Sequence, residues 1–243
     1  MSKLAAVVLA GGRGTRMQSD LPKVLHALND KPIIFYTLET LQKLDLEKIY
    51  IVVPEGSGQV KSEISETFKN VSFVDQVQPI GTANAVQTAI NALDYDIDTI
   101  LVLNGDDSAF YKSSTLNSFM KSHLDSQCLI SMGIIKNSGQ EKLGMVLRDN
   151  QGNFLQILEH NQYIQQNIKS DENNCGLYIF NVSFLKENLD RVPLSDRGEY
   201  YLTELFNIAA SQNIPVNLYE INKDEWISIN TPEDLKKAND RLK

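Results

Sequence analysis

A chain of 243 residues is long enough to bury one sizeable core, as a single large domain or as two small ones. Its 42% hydrophobic and 22% charged residues are ordinary for a globular protein, and its net charge of -8 argues against nucleic acid as the main partner, because neutralising phosphates takes clustered Lys and Arg. The longest apolar run, residues 4–10, is far too short to span a bilayer, and no small-residue cleavage site follows an apolar leader; a cytoplasmic protein with no membrane partner is expected.

The predicted elements run as follows. Residues 4–9 read as a buried strand, followed by a glycine-rich loop to Lys23. A second strand at 49–53 ends in a loop carrying Pro54, Gly56 and Gly58. Then come a helix at 60–68, a strand at 71–74, a helix at 81–93 with Ala83, Val86 and Ile90 on one face, a strand at 99–103 and a helix at 113–123 capped by Ser113 or Ser114. Strands alternating with helices predict an α/β fold with right-handed crossovers and a mostly parallel sheet. Such sheets bind ligands at the carboxyl ends of their strands, which places the Gly11 loop and the Asp106 segment on one edge.

The second half changes style. Strands are predicted at 128–135, 144–148, 154–158 and 174–180, with a hairpin turn at 149–152. Helices are predicted at 200–212 and 232–242, the last with Thr231 as cap and Pro232 at its first position. Cys128 and Cys175 lack metal-ligand spacing and lie in apolar strand-like runs, so both are expected to be reduced core thiols. His26, His123 and His160 form no cluster, and no zinc site is expected. Lys236, Lys237, Arg241 and Lys243 suit the last turns of a helix.

The loop at 9–23 carries the chemistry. Gly11, Gly12 and Gly14 let the backbone turn sharply and aim successive amides at phosphate oxygens. Arg13, Arg16 and Lys23 make a basic spot on an acidic chain, which suits a polyphosphate. Neither common glycine loop fits: the dinucleotide fingerprint would need glycine where Met17 stands, and no Gly-Lys-Ser/Thr run exists. The run Gly12-Arg13-Gly14-Thr15-Arg16-Met17, with Pro22-Lys23 after it, resembles the signature of the sugar-phosphate nucleotidyltransferases. The resemblance extends over residues 4–239 and comes nearest to the uridylyltransferase domain of bacterial N-acetylglucosamine-1-phosphate uridylyltransferases.

That resemblance implies a Rossmann-like, mostly parallel sheet flanked by helices, with a smaller mixed β region for the sugar. It implies one domain over 1–243, with a nucleotide-binding half at 1–125 and a sugar-binding half at 126–243. Arg16 and Lys23 would be catalytic, and Leu9, Ala10, Gly11, Gly12, Gly14 and Thr15 would hold the nucleotide. Gln76, Gly81 and Thr82, in Asp75-Gln76-Val77-Gln78-Pro79-Ile80-Gly81-Thr82, would face the uracil; an amide can both donate and accept, as a pyrimidine edge requires. Asn104 and Gly105 would bind substrate, Asp106 after them is the implied ligand of a Mg²⁺ cofactor, and Asn230 in Asn230-Thr231-Pro232-Glu233-Asp234-Leu235 would complete its site. Asparagine there, where many thymidylyl- and guanylyl-transferring relatives carry aspartate, favours the N-acetylglucosamine branch. Gly144, Glu159 and Asn174 match the sugar half, as does Gly198-Glu199-Tyr200-Tyr201-Leu202-Thr203.

Two stretches depart from the pattern. Asp107-Ser108-Ala109 stands where the family carries an apolar residue and then proline, so Asp107 is either a second acidic contact or a helix cap. Glu141-Lys142-Leu143 lacks the aromatic and glycine pattern expected ahead of Gly144. The reaction expected is transfer of a uridylyl group from UTP to a sugar 1-phosphate, best matched by N-acetylglucosamine 1-phosphate, with release of pyrophosphate. CTP or dTTP, or glucose 1-phosphate, would use the same chemistry. A non-catalytic nucleotide-sugar-binding subunit would be expected to have lost Arg16, Lys23, Asp106 or Asn230, and all four stand. The bifunctional members continue into a hexapeptide-repeat acetyltransferase domain through which they trimerise. No such repeat occurs here, so only nucleotidyl transfer is expected and the oligomeric state stays open.

Overall fold

The computed structural model describes residues 2–12, 14–136 and 143–242. Arg13, Glu141 and Lys142 lie outside the described residues, as does the side chain of Thr15.

β1 (Leu4–Leu9) carries no charge, and its Ala5, Ala6, Val7 and Val8 are wholly buried. A strand apolar on both faces needs cover on both. Side chains alternate across a strand. Ala5 and Val7 join the core on one face of the sheet, and Ala6 and Val8 join the core on the other. A small hairpin, β2 (Ala27–Leu28) and β3 (Lys31–Pro32), leads into α1 (Ile33–Leu41). The chain continues through β4 (Lys48–Pro54), α2 (Gly58–Thr67), β5 (Val71–Gln76), α3 (Thr82–Ala92), β6 (Thr99–Asn104) and α4 (Ser113–Ser126). β1 pairs in parallel with β4 and β6, and β4 with β5.

β7 (Ile130–Lys136), β8 (Met145–Arg148), β9 (Phe154–Leu158), α5 (His160–Gln166), β10 (Glu172–Asn181), α6 (Val182–Asn188), α7 (Glu204–Ser211), β11 (Val216–Glu220) and α8 (Pro232–Arg241) make up the rest. β10 inserts between β6 and β7, antiparallel to both, and the main sheet runs β11-β7-β10-β6-β1-β4-β5. One sheet therefore crosses from the first half into the second at the β6–β10 pair. β8 and β9 form an antiparallel hairpin tied to β10 at Met145–Asn173. This is the α/β architecture expected, with a mostly parallel sheet and a smaller antiparallel region. The rings of Tyr178 and Phe180 on β10 meet Phe206 on α7 at centroid separations of 5.5 and 5.4 Å, which closes one core. Among the described residues, no helix is long and apolar enough to cross a membrane.

The structure corrects four local expectations. α4 is not capped by Ser113 or Ser114: Lys112 is its N-cap, and the Lys112 amide donates to Glu225 Oε2 at 3.1 Å. The helix expected from 200 begins only at Glu204, because the Tyr200 amide donates to Ile80 O at 2.8 Å and the Leu202 amide to Thr82 Oγ1 at 2.9 Å. Cys128 lies half-buried just before β7, not within a strand; Cys175, on β10, is the buried thiol. α1, α5, α6 and β11 went unread. α1 opens on Ile33-Ile34-Phe35, poor helix formers that packing keeps helical, with Ile33, Ile34, Leu38 and Leu41 fully buried.

Candidate active site

Leu9, at the end of β1, is in register with Asn104, at the end of β6. The Gly105 amide donates to Leu9 O at 2.9 Å, and the Ala10 amide to Val52 O at 2.8 Å. The glycine loop and the Asp106 segment thus leave the sheet side by side at one edge. Gly14 takes a left-handed conformation (φ 60°), and a Cβ there would lie 3.0 Å from Lys23 Cβ. Glycine therefore lets the loop fold back onto Lys23.

Lys23 is only 7% exposed. Its ammonium forms an ion pair with Asp106 and donates to Asn230 Oδ1 at 2.7 Å. Arg16 Nη2 donates to the same oxygen at 2.8 Å. Asn230 is held by the start of α8. Asp234 Oδ2 accepts from the Asn230 and Thr231 amides at 3.1 and 2.9 Å, and Thr231 Oγ1 accepts from the Asp234 amide in return. This reciprocal capping box fixes the residue just outside the helix. Four residues singled out in the sequence, Arg16, Lys23, Asp106 and Asn230, therefore meet at one point although up to 214 positions apart. Among the described residues, no cluster of three or more His, Cys, Asp or Glu suited to a metal is gathered. The Asp106 carboxylate and the Asn230 carbonyl oxygen nevertheless flank one cation, the Lys23 ammonium.

Beside this point opens a cleft of about 680 Å³. Leu9, Gly11, Gly12, Lys23, Gln76, Gly81, Thr82, Asn104, Asp106 and Asn230 all line it. Ala10 and Gly105 are buried beneath its floor; a Cβ on Gly105 would lie 3.3 Å from Val8 Cγ1. Gln76 is buried, and its Nε2 donates to Asn84 Oδ1 at 2.7 Å and to Gly81 O at 3.3 Å. Its Oε1 is turned to Gly11, where a Cβ would lie 3.2 Å away. Gly81 (φ 120°) sits so close to Tyr200 that a Cβ would fall 2.4 Å from Tyr200 O. The Ala83 amide donates to that same oxygen at 2.9 Å, and Thr82 accepts from Leu202. The segment around Gly81 and Thr82 thus latches the start of α3 onto residues 200–202.

Gly144, Glu159 and Asn174 are brought together, but not into the cleft lining. The Asn174 amide donates to Gly144 O at 2.9 Å, and a Cβ on Gly144 would lie 3.7 Å from Glu159 Oε1. Asn174 Nδ2 donates to Tyr178 Oη at 2.7 Å, and its Oδ1 accepts from the Gly176 amide at 3.0 Å. The Thr203 hydroxyl donates to Glu159 Oε1 at 3.0 Å. Burial raises the Glu159 carboxyl above its ordinary range, against that hydrogen bond. Asn104 Nδ2 donates to Asp107 Oδ2 at 3.1 Å. Burial, and then the charge of Asp106, push the Asp107 carboxyl well above the usual carboxylate range. Arg197, Glu199 and Tyr201 also line the cleft and were missed as site residues. The Gly198–Thr203 motif was the signal that could have found Glu199 and Tyr201, and Arg197 directly precedes it.

Residues 5–243 match the family described as nucleotidyl transferase. Bifunctional protein GlmU of Syntrophomonas wolfei is 35% identical over 243 residues, 99% of this chain and 53% of its own length. A protein of Acanthamoeba polyphaga mimivirus, named "Probable UDP-N-acetylglucosamine pyrophosphorylase", is 32% identical over 240 residues, 96% of this chain and 94% of its own. The chain spans about half the length of the bifunctional relatives it matches. A solved structure of a UDP-glucose pyrophosphorylase complexed with UDP-glucose has a TM-score of 0.81 at 20% identity, over 100% of this chain and 98% of its own, a likeness of fold. With a glycine loop, paired cations and an acid gathered at one sheet edge, and a family match over nearly its whole length, the chain belongs to the nucleotidyl transferase family.

Proposed function

We propose that this chain transfers a uridylyl group from UTP to N-acetylglucosamine 1-phosphate and releases pyrophosphate. One observation carries the reading: Arg16, Lys23, Asp106 and Asn230 converge beside the Gly11–Gly12 loop. In such a transfer an oxygen of the sugar phosphate attacks the α-phosphorus in line. The new O–P bond forms as the bond to the leaving pyrophosphate breaks. No general base is required, because the attacking phosphate is already ionised near neutral pH. The barrier is chiefly repulsion between anions, together with positioning. Loop amides, Arg16 and Lys23 offset that charge where it develops, with Lys23 reaching for the α-phosphate.

The Asp106–Asn230 pair suits Mg²⁺. Both offer oxygen donors, and the Lys23 ammonium between them is itself a cation in the same place. A bound Mg²⁺ would supply charge screening and polarisation of phosphate oxygens. On this reading Lys23 leaves Asp106 for the triphosphate when substrates bind. Support for the uracil comes from Gln76: with Nε2 occupied by Asn84, its Oε1 is left to accept from a base N–H. Support for the sugar comes from Asn230 and from the mimivirus relative's name.

The test is pyrophosphate release by purified protein with Mg²⁺ across each NTP and several sugar 1-phosphates. Release is expected to be fastest with UTP and N-acetylglucosamine 1-phosphate. A different best pair would move the specificity and keep the chemistry, whereas no release with any pair would overturn the reading.

A further inference from the structure

Two adjacent carboxylates leave the end of β6 and serve opposite sides. Asp106 turns to Lys23. Asp107 turns to β10: its Oδ2 accepts from Asn104, and both side chains abut Gly176. Gly176 has a left-handed backbone (φ 74°), and a Cβ there would lie 2.4 Å from Asn104 Nδ2 and 3.3 Å from Asp107 Oδ2. The β10 ladder shifts register at this place, between Asn174 and Tyr178. Asp107 lines the cleft, yet its Oδ1 is shielded from solvent and has no hydrogen-bond partner among the described residues. The nearby cation, Lys23, is taken by Asp106. Leaving such an oxygen unpaired is costly, and a ligand that completes it removes the cost. Gln76 marks the base side and lies at the end of β5, three strands from β6 in the sheet. Asp107 therefore sits on the opposite side of the cleft, next to the β10 wall that holds Asn174.

We propose that Asp107 is a specificity-determining residue for the acceptor: its carboxylate, which lines the cleft with one oxygen unpaired, receives a hydrogen bond from one hydroxyl or N–H of the sugar, and so selects acceptors that carry a donor there. The proposal rests on the sugar-nucleotide reading above. It separates Asp107 from Asp106, which serves the cation and Lys23. Asp107→Asn keeps the shape and one oxygen for Asn104 but presents an amide donor to the sugar, so it reverses the polarity of the contact. Asp107→Ala removes the contact altogether.

The experiment measures KM for UTP and for N-acetylglucosamine 1-phosphate, glucose 1-phosphate and its monodeoxy analogues, in the wild type and both variants. Acceptor KM is expected to rise at least about tenfold while KM for UTP stays within about twofold. One deoxy analogue is expected to be discriminated against by the wild type but no longer by Asp107→Ala, which identifies the hydroxyl. Equal shifts for both substrates, or no shift, would overturn the proposal. So would a change confined to the Mg²⁺ dependence, which would make Asp107 a third cation ligand. Calorimetry of UDP against UDP-N-acetylglucosamine and UDP-glucose gives a readout that needs no turnover. The sugar is expected to tighten binding in the wild type, and Asp107→Asn to remove most of that gain. If the wild type releases no pyrophosphate with any pair, the functional reading fails, and this binding comparison alone decides Asp107: a gain unaffected by the substitution, or no gain in the wild type, rejects it.

Discussion

Arg16 and Lys23 both donate to one oxygen of Asn230, and only Lys23 also pairs with Asp106. The two cations therefore have distinct work. Lys23 is buried in the floor of the site, while Arg16 is exposed and reaches in from the 3₁₀ turn at Thr15–Met17. Truncating Arg16 removes a pre-organised cation without opening the core. Arg16→Ala is expected to unfold at a temperature close to wild type and to lower turnover about a hundredfold or more. Wild-type turnover in that variant would remove Arg16 from the mechanism. Local spacing gave away much at this scale: the glycines, Arg16 and the Pro22-Lys23 pair stand within thirteen residues. Asn230 is different. Nothing near it in sequence announces that it meets Lys23, 207 residues away, and only the family resemblance pointed there. Asp107 stood out as a departure, but its partner Asn104 and its unpaired oxygen are tertiary facts.

Two contacts between elements hold the site in shape. The first is the latch between the start of α3 and residues Tyr200–Leu202. Gly81→Ala would place a methyl 2.4 Å from a backbone oxygen and strain a φ of 120°, with no flexible side chain to yield. A cost of about 2 kcal/mol or more is expected, together with weaker nucleotide binding. Thermal unfolding and UTP calorimetry check this, and an unchanged variant would refute the latch. The second contact is Glu225, buried against the first turn of α4. Burial opposes its charge, yet the Thr115 hydroxyl, the Lys112 amide and the Lys112 ammonium together hold its carboxyl below the ordinary value. A carboxyl lowered in the folded state stabilises above its unfolded pKa and loses that contribution as pH falls through the folded one. Glu225→Gln is therefore expected to cost about 1–3 kcal/mol near pH 7 and progressively less below about pH 4. A pH-independent difference in unfolding free energy would contradict this. Neither contact was legible beforehand. The helix expected at 200–212 starts four residues later because its first turn is claimed by hydrogen bonds to Ile80 and Thr82, and α4 lacks the expected serine cap because the acid at its start, Glu225, arrives from 113 residues downstream.

Across the whole molecule, the buried inner strands of the sheet were the legible part. Runs such as Leu4–Leu9 and Thr99–Asn104 are apolar on both faces, and only a covered parallel sheet accommodates them. The strand β10 was located in sequence, but not its antiparallel insertion between β6 and β7, which long-range pairing decides. That insertion brings the β10 wall, with Asn174 and Gly176, up to the acid end of β6, and on the proposed function sheet order thereby assembles a nucleotide side and an acceptor side around Lys23. The measurement that tests this most directly is the rate of pyrophosphate release by Lys23→Ala at saturating UTP, N-acetylglucosamine 1-phosphate and Mg²⁺, beside wild type and with folding checked by circular dichroism. The account predicts a folded variant slowed about a hundredfold or more. A folded variant with wild-type turnover would contradict it.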